Sequence, residues 1–160
     1  MGFPSHRMKF RLVDKIVSWS PHQRIIGIKA VSFEEYCLKE SFGDEPRLPE
    51  TLLLESFLQL GNWLILLSSD FKETGMVVRI SEVRFAGFLL PGRQLRMEVT
   101  LARRREDGFE MFGEGKVDGR TVITGLGCLA VPILASEHAD PDDLRVLFSE
   151  IYEPEEAVAS

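Results

Sequence analysis

Cysteine is scarce in this chain of 160 residues: only Cys37 and Cys128 occur, with no Cys-x-x-Cys pair. That excludes a disulfide scaffold and a zinc ribbon, and leaves two reduced thiols of a cytoplasmic protein as the reading. The acidic pair Glu34-Glu35 beside Cys37 disfavours a reactive thiolate there. Histidine is also rare. His6, His22 and His138 are far apart and lack metal-ligand spacing. There is no glycine-rich phosphate loop and no nucleophile elbow, so neither a metal nor a cofactor is expected. Positive charge is in deficit, with 19 Lys and Arg against 25 Asp and Glu and a formal net charge of −6. A nucleic-acid-binding module needs a basic face for the phosphate backbone, so that class is excluded. The start, Met1 to Arg7, shows no charged-then-apolar signal pattern, and His6 stands where a myristoylation motif wants Ser or Thr. Long uninterrupted apolar runs are missing too. The stretch Leu52 to Leu67 is broken by Glu55, Ser56, Gln59, Gly61 and Asn62. It is too short and too polar for a membrane span of roughly 20 residues, so it is expected to lie buried in protein.

What is present suits one folded domain. Hydrophobic residues are 44% and charged residues 28%, ordinary values for a globule. The expected division is a single domain over 1–153 and an acidic, frayed tail over 154–160. Leu12 to Ser18 reads as a strand, Ser20-Pro21-His22-Gln23 as a turn, and Arg24 to Val31 as the hairpin partner. Residues 33–47 read as irregular. Pro49 opens a helix running to about Ser69, with Glu50 suited to its dipole. After Gly75 the pattern turns to strands: Met76 to Phe85, Gln94 to Arg104, Phe109 to Val117 and Thr121 to Val131. Asp107-Gly108 and Asp118-Gly119 mark hairpin turns between the last three. A terminal helix is expected over Pro141 to Tyr152, with an apolar stripe of Leu144, Leu147, Phe148 and Ile151. A helix apolar nearly all round needs a sheet wrapped about it. The expected architecture is therefore α+β: a hot-dog fold, with a curved antiparallel sheet around one long central helix. Edge strands and part of the helix stay uncovered in such a unit, which favours a homodimer or a higher oligomer.

Glu55, Gln59 and Asn62 stand at i, i+4 and i+7 and so share one helical face. A carboxylate within an apolar helix is costly unless partnered. Two readings stand. The three form a polar cluster bonded to loop backbone or a partner subunit, or they belong to a functional site. The run Arg103-Arg104-Arg105 likewise reads either as a solvated face or as a dock for an acidic carrier protein.

Four segments, in order over roughly residues 6 to 131, carry a family resemblance. His6-Arg7-Met8-Lys9-Phe10-Arg11-Leu12-Val13-Asp14-Lys15 is similar to the HRYPFLLVDR opening of the FabA/FabZ-type 3-hydroxyacyl-acyl-carrier-protein dehydratases, especially the FabZ branch. Gly27 to Ser32 (GIKAVS) resembles that family's second strand. Leu52 to Gln59 (LLLESFLQ) resembles its helix with a LEALAQ-like core, and Arg84 to Leu95 (RFAGFLLPGRQL) resembles its ARFRRPVVPGDQL segment. These are hot-dog enzymes acting on acyl thioesters in fatty-acid metabolism. The resemblance implies acyl-carrier protein or coenzyme A thioesters as partners.

In that family a loop histidine and a helix carboxylate from the partner subunit remove water from a 3-hydroxyacyl thioester. One group accepts a proton near neutral pH, which suits imidazole, and another helps the hydroxyl leave. Carried over, the family's GHFPGxPxxPG loop falls on Glu40 to Glu50. Glu55 takes the place of the helix carboxylate and Gln59 that of its companion. Ser41 takes the place of the histidine. The resemblance further implies substrate contacts at Phe42, Leu48, Pro49 and Glu50, and at Gln59, Phe85, Pro91 and Gly92. A serine hydroxyl is not a base near neutral pH without a general base beside it. The expectation is a FabZ-like acyl-thioester-binding protein with ordinary dehydratase activity in doubt. Three alternatives remain: an active dehydratase or enoyl hydratase with an unusual base, an acyl thioesterase using Glu55, and a non-catalytic subunit of a hetero-oligomeric dehydratase.

Overall fold

The computed structural model of the chain describes residues 11–33, 45–105 and 108–156, and only the backbone of 103–105. The expectations for His6, Cys37, Ser41 and Phe42 fall outside these residues. Among the described residues, six strands and two α-helices follow in the order β1 (Lys15–Ser20), β2 (Arg24–Ala30), α1 (Glu50–Ser68), β3 (Glu73–Phe85), β4 (Gln94–Arg105), β5 (Gly108–Val117), β6 (Arg120–Leu134) and α2 (Pro141–Ile151). The strands form one antiparallel sheet in the order β1-β2-β4-β5-β6-β3, and α1 packs against β2 through β6. This is the hot-dog arrangement.

The strands follow from alternation. On β4, Leu95, Met97 and Val99 are fully buried beneath α1, while Arg96 is exposed on the opposite face. Asp118 and Gly119 both take positive φ, 50° and 78°, as a two-residue hairpin turn twisted to match its strands requires. β6 runs three residues beyond the expected Val131, through Pro132. Pro132 pairs with Gly75 of β3, beyond the last rung shared with β5, Phe109 with Ala130.

β1 begins at Lys15 rather than at the expected Leu12. The cause is Asp14, whose carboxylate accepts the Ala30 N–H at 2.6 Å while its own N–H donates to the Ile28 carbonyl. A side chain thus replaces the next rung of the ladder. The buried Lys29 ammonium lies 3.7 Å from the same carboxylate.

α1 is long and apolar enough to cross a membrane by length and composition, yet its apolar residues are the protein core. Leu53, Phe57, Leu60 and Leu64 have no exposed surface. Phe57 sits in a dent made by Gly113 on β5 and Gly125 on β6, which face each other in register. A Cβ at either glycine would stand 2.7 or 2.8 Å from the Phe57 ring, so neither position has room for a side chain. Ser56, buried among these residues, donates its hydroxyl to the Leu52 carbonyl at 2.8 Å.

α2 matches its expected span to within a residue. Asp140 caps it by accepting the Asp142 N–H at 2.9 Å. Phe148 anchors it: its ring meets Trp19 edge-on, lies against Trp63 and Phe71, and stacks on Tyr152 with centroids 4.9 Å apart. Beyond α2, Tyr152 bridges Ile16 in parallel, and the Glu153 and Glu155 N–H groups donate to the carbonyls of Ile16 and Val17. Glu155, expected in a frayed tail, is therefore held along β1, and its carboxylate pairs with Arg96 of β4 at 2.9 Å.

Candidate functional site

The helical spacing of Glu55, Gln59 and Asn62 becomes the polar floor of one cleft of about 300 Å³. Val13, Trp63 and Leu66 form apolar walls, and Arg11 stands at the rim. The other wall is α2, through Leu144, Leu147 and Ile151. Hydrogen bonding fixes the floor. The Leu12 N–H, which can only donate, binds Gln59 Oε1 at 2.9 Å. The Gln59 amide nitrogen is thereby turned toward Glu55, donating to its Oε1 at 3.1 Å. Backbone geometry in the segment before β1 thus orients the carboxylate through one intervening side chain.

Asn62 completes the floor differently. Its Oδ1 is buried and has no hydrogen-bond partner among the described residues. The oxygen lies against β3 at Gly75, where a Cβ would come within 2.7 Å of it. An unsatisfied buried carbonyl is uncommon and costly. Here it stands on the face that carries the carboxylate.

The remaining sequence candidates divide into two places. Around the start of α1, the Leu48 N–H donates to the Leu89 carbonyl at 2.9 Å, pinning this loop to the segment after β3. Pro49 is the N-cap residue, and Glu50, in the first turn, pairs with Arg47 at 3.6 Å. The Arg47 guanidinium covers the Phe88 ring at 3.9 Å. Phe85 ends β3 with its ring exposed. Pro91 and Gly92 lie in the following turn, where the Gly92 N–H donates to the Val31 carbonyl and φ is +80°. Gly92 borders a second recess with Ile28, Arg93, Arg96 and Lys116 rather than the Glu55 cleft. Glu55 and Gln59 are thus joined by contact, whereas Gly92 borders a different recess. Ser41 and Phe42 lie outside the described residues.

Arg11, Val13, Trp63, Leu66 and the α2 wall went unnoticed as site residues. The spacing of Leu144, Leu147 and Ile151 marked an apolar stripe, but no local signal says which surface a stripe covers. Cys128 is fully buried and its thiol is pushed up by burial, which removes it as a nucleophile.

The family model described as a FabA-like domain matches residues 4–125. A 3-hydroxyacyl-[acyl-carrier-protein] dehydratase FabZ of Magnetococcus marinus is 38% identical over 122 residues, covering 74% of this chain and 80% of that protein. Among solved structures, the dehydratase heterocomplex ApeI:P from Xenorhabdus doucetiae superposes with a TM-score of 0.57 at 15% identity, over 71% of this chain and 92% of that one. A hypothetical thioesterase with coenzyme A from Streptococcus pneumoniae does so with a TM-score of 0.56 at 12% identity, over 73% and 84%. At such identities the structural likeness is one of fold.

Proposed function

Because this chain belongs to the FabA-like domain family, we propose that it binds fatty acyl thioesters carried on acyl-carrier protein or coenzyme A, with Glu55 facing the acyl group. One observation carries the reading: Glu55 is held by Gln59, itself gripped by the Leu12 backbone, at the polar end of a cleft with apolar walls. Such a cleft takes a ligand with a polar head and an apolar chain. The proposal includes loss of ordinary dehydration, because Ser41 stands where the resemblance wants imidazole and a hydroxyl does not accept a proton near neutral pH unaided. It also includes a homodimer paired through β3, a 13-residue edge strand that leaves Met76 and Val78 exposed.

Calorimetric titration with acyl-carrier and coenzyme A thioesters tests the binding. Saturable binding, with enoyl-thioester hydration at the buffer rate, is the expected result. Absence of binding to either carrier overturns the proposal. Hydration that disappears in Glu55→Gln establishes an active lyase instead, and thiol release that disappears in the same variant establishes a thioesterase.

A further inference from the structure

We propose that α2 sets the length of acyl chain this protein accepts, with Leu144, Leu147 and Ile151 as the specificity-determining residues. The inference rests on the reading that the Glu55 cleft binds acyl thioesters, and it adds a ligand class to that reading: short and medium chains.

The cleft has a direction. From Glu55 to Leu66 it follows α1 for eleven residues, about 16 Å at the helical rise. Glu55 and Gln59 occupy one end, and Trp63 and Leu66 the other. A thioester has the same polarity, with a carbonyl at one end and methylenes at the other. The wall beside the apolar end is α2. This helix begins at Pro141, beyond the residues 4–125 matched by the FabA-like domain.

The wall is firmly seated. Phe148 fills the space between Trp19, Trp63 and Phe71. Arg145 donates to the Asp70 carbonyl at 3.1 Å and lies over the Phe71 ring. With Arg145 and Phe148 turned to Asp70 and Phe71 after α1, the adjacent stripe of α2, Leu144, Leu147 and Ile151, lines the cleft. Displacing α2 for a longer ligand would break these ring and guanidinium contacts.

The length of the cleft bounds the chain. Its run of about 16 Å along α1 exceeds an extended octanoyl chain and falls short of an extended hexadecanoyl chain.

Titration of the full-length wild type and of the double variant Leu144→Ala/Leu147→Ala with butanoyl-, octanoyl- and hexadecanoyl-coenzyme A tests this. The wild type is expected to bind the first two and discriminate against the third. The double variant is expected to gain at least about tenfold in affinity for hexadecanoyl-coenzyme A, the equivalent of two newly buried methylenes. Leu147→Phe narrows the cleft without opening a cavity and is expected to weaken octanoyl relative to butanoyl binding, which keeps the test decisive if the double variant does not fold. Wild-type protein that binds none of the three, nor the same chains on acyl-carrier protein, overturns the proposed function itself. Wild-type protein that binds all three equally, or variants that keep the wild-type order, overturn the role of α2 alone.

Discussion

Along β1, the segment Tyr152 to Glu155 runs beside the strand and takes up the carbonyls of Ile16 and Val17, while Lys15 pairs with Glu153 at 2.7 Å. Along β3, the other edge of the same sheet, β6 lies on one side and, among the described residues, no strand lies on the other. The first edge is short and closed from within the chain. The second is 13 residues long and leaves Met76, Val78 and Phe85 exposed. An open edge offers unpaired backbone groups to another chain, so the proposed dimer is assigned to β3 rather than to β1. The closing segment follows α2, so the element that walls the Glu55 cleft also delivers the chain to the β1 edge.

This contrast can be broken most forcefully on its closed side. Phe148→Ala removes the ring shared by Trp19, Trp63, Phe71 and Tyr152, and is expected to cost about 2–4 kcal/mol, somewhat under the range for a wholly buried aromatic. Denaturant unfolding measures the loss, and an unchanged midpoint means that α2 is not anchored as described. On the open side, Val78→Lys is expected to alter unfolding by no more than about 0.5 kcal/mol yet to abolish self-association. Sedimentation of both proteins at several concentrations decides it, and an intact dimer in the variant removes β3 as the contact.

The smallest effect concerns the pair that ties the closing segment to the sheet. Arg96 holds the Glu155 carboxyl below the ordinary glutamate value by hydrogen bonding, and Glu155 in turn raises Arg96. A carboxylate with a depressed folded pKa contributes its stability above the unfolded value and loses it as pH falls through the folded value. The difference in melting temperature between wild type and Arg96→Gln is therefore expected near neutral pH and should vanish on acidification below the glutamate range. High salt should shrink it as well, since the pair is exposed. A difference that persists in acid assigns the effect to packing of the Arg96 stem.

Much of the fold was legible because its signals are local. The alternation of Leu95, Met97 and Val99, the Asp118-Gly119 turn and the apolar α1 each depend on residues close in sequence. The start of β1 was misplaced because Asp14 reaches across to Ala30, a contact that periodicity does not encode. The pairing of Gly113 with Gly125 under Phe57 was invisible for the same reason, since three elements must meet before either glycine has a purpose. At the site, helical geometry alone placed Glu55, Gln59 and Asn62 on one face. The grip of the Leu12 N–H on Gln59 spans 47 positions and required the folded chain.

The amino-acid sequence by itself determined a core helix, a sheet of alternating strands and a polar strip on that helix, because period and turn chemistry act over a few residues. Tertiary structure alone decided that α2 faces this strip, that Tyr152 to Glu155 close β1 and that no described strand lies beyond β3. An apolar stripe or a strand edge specifies only that it needs a cover, and chain connectivity and packing select which cover it receives.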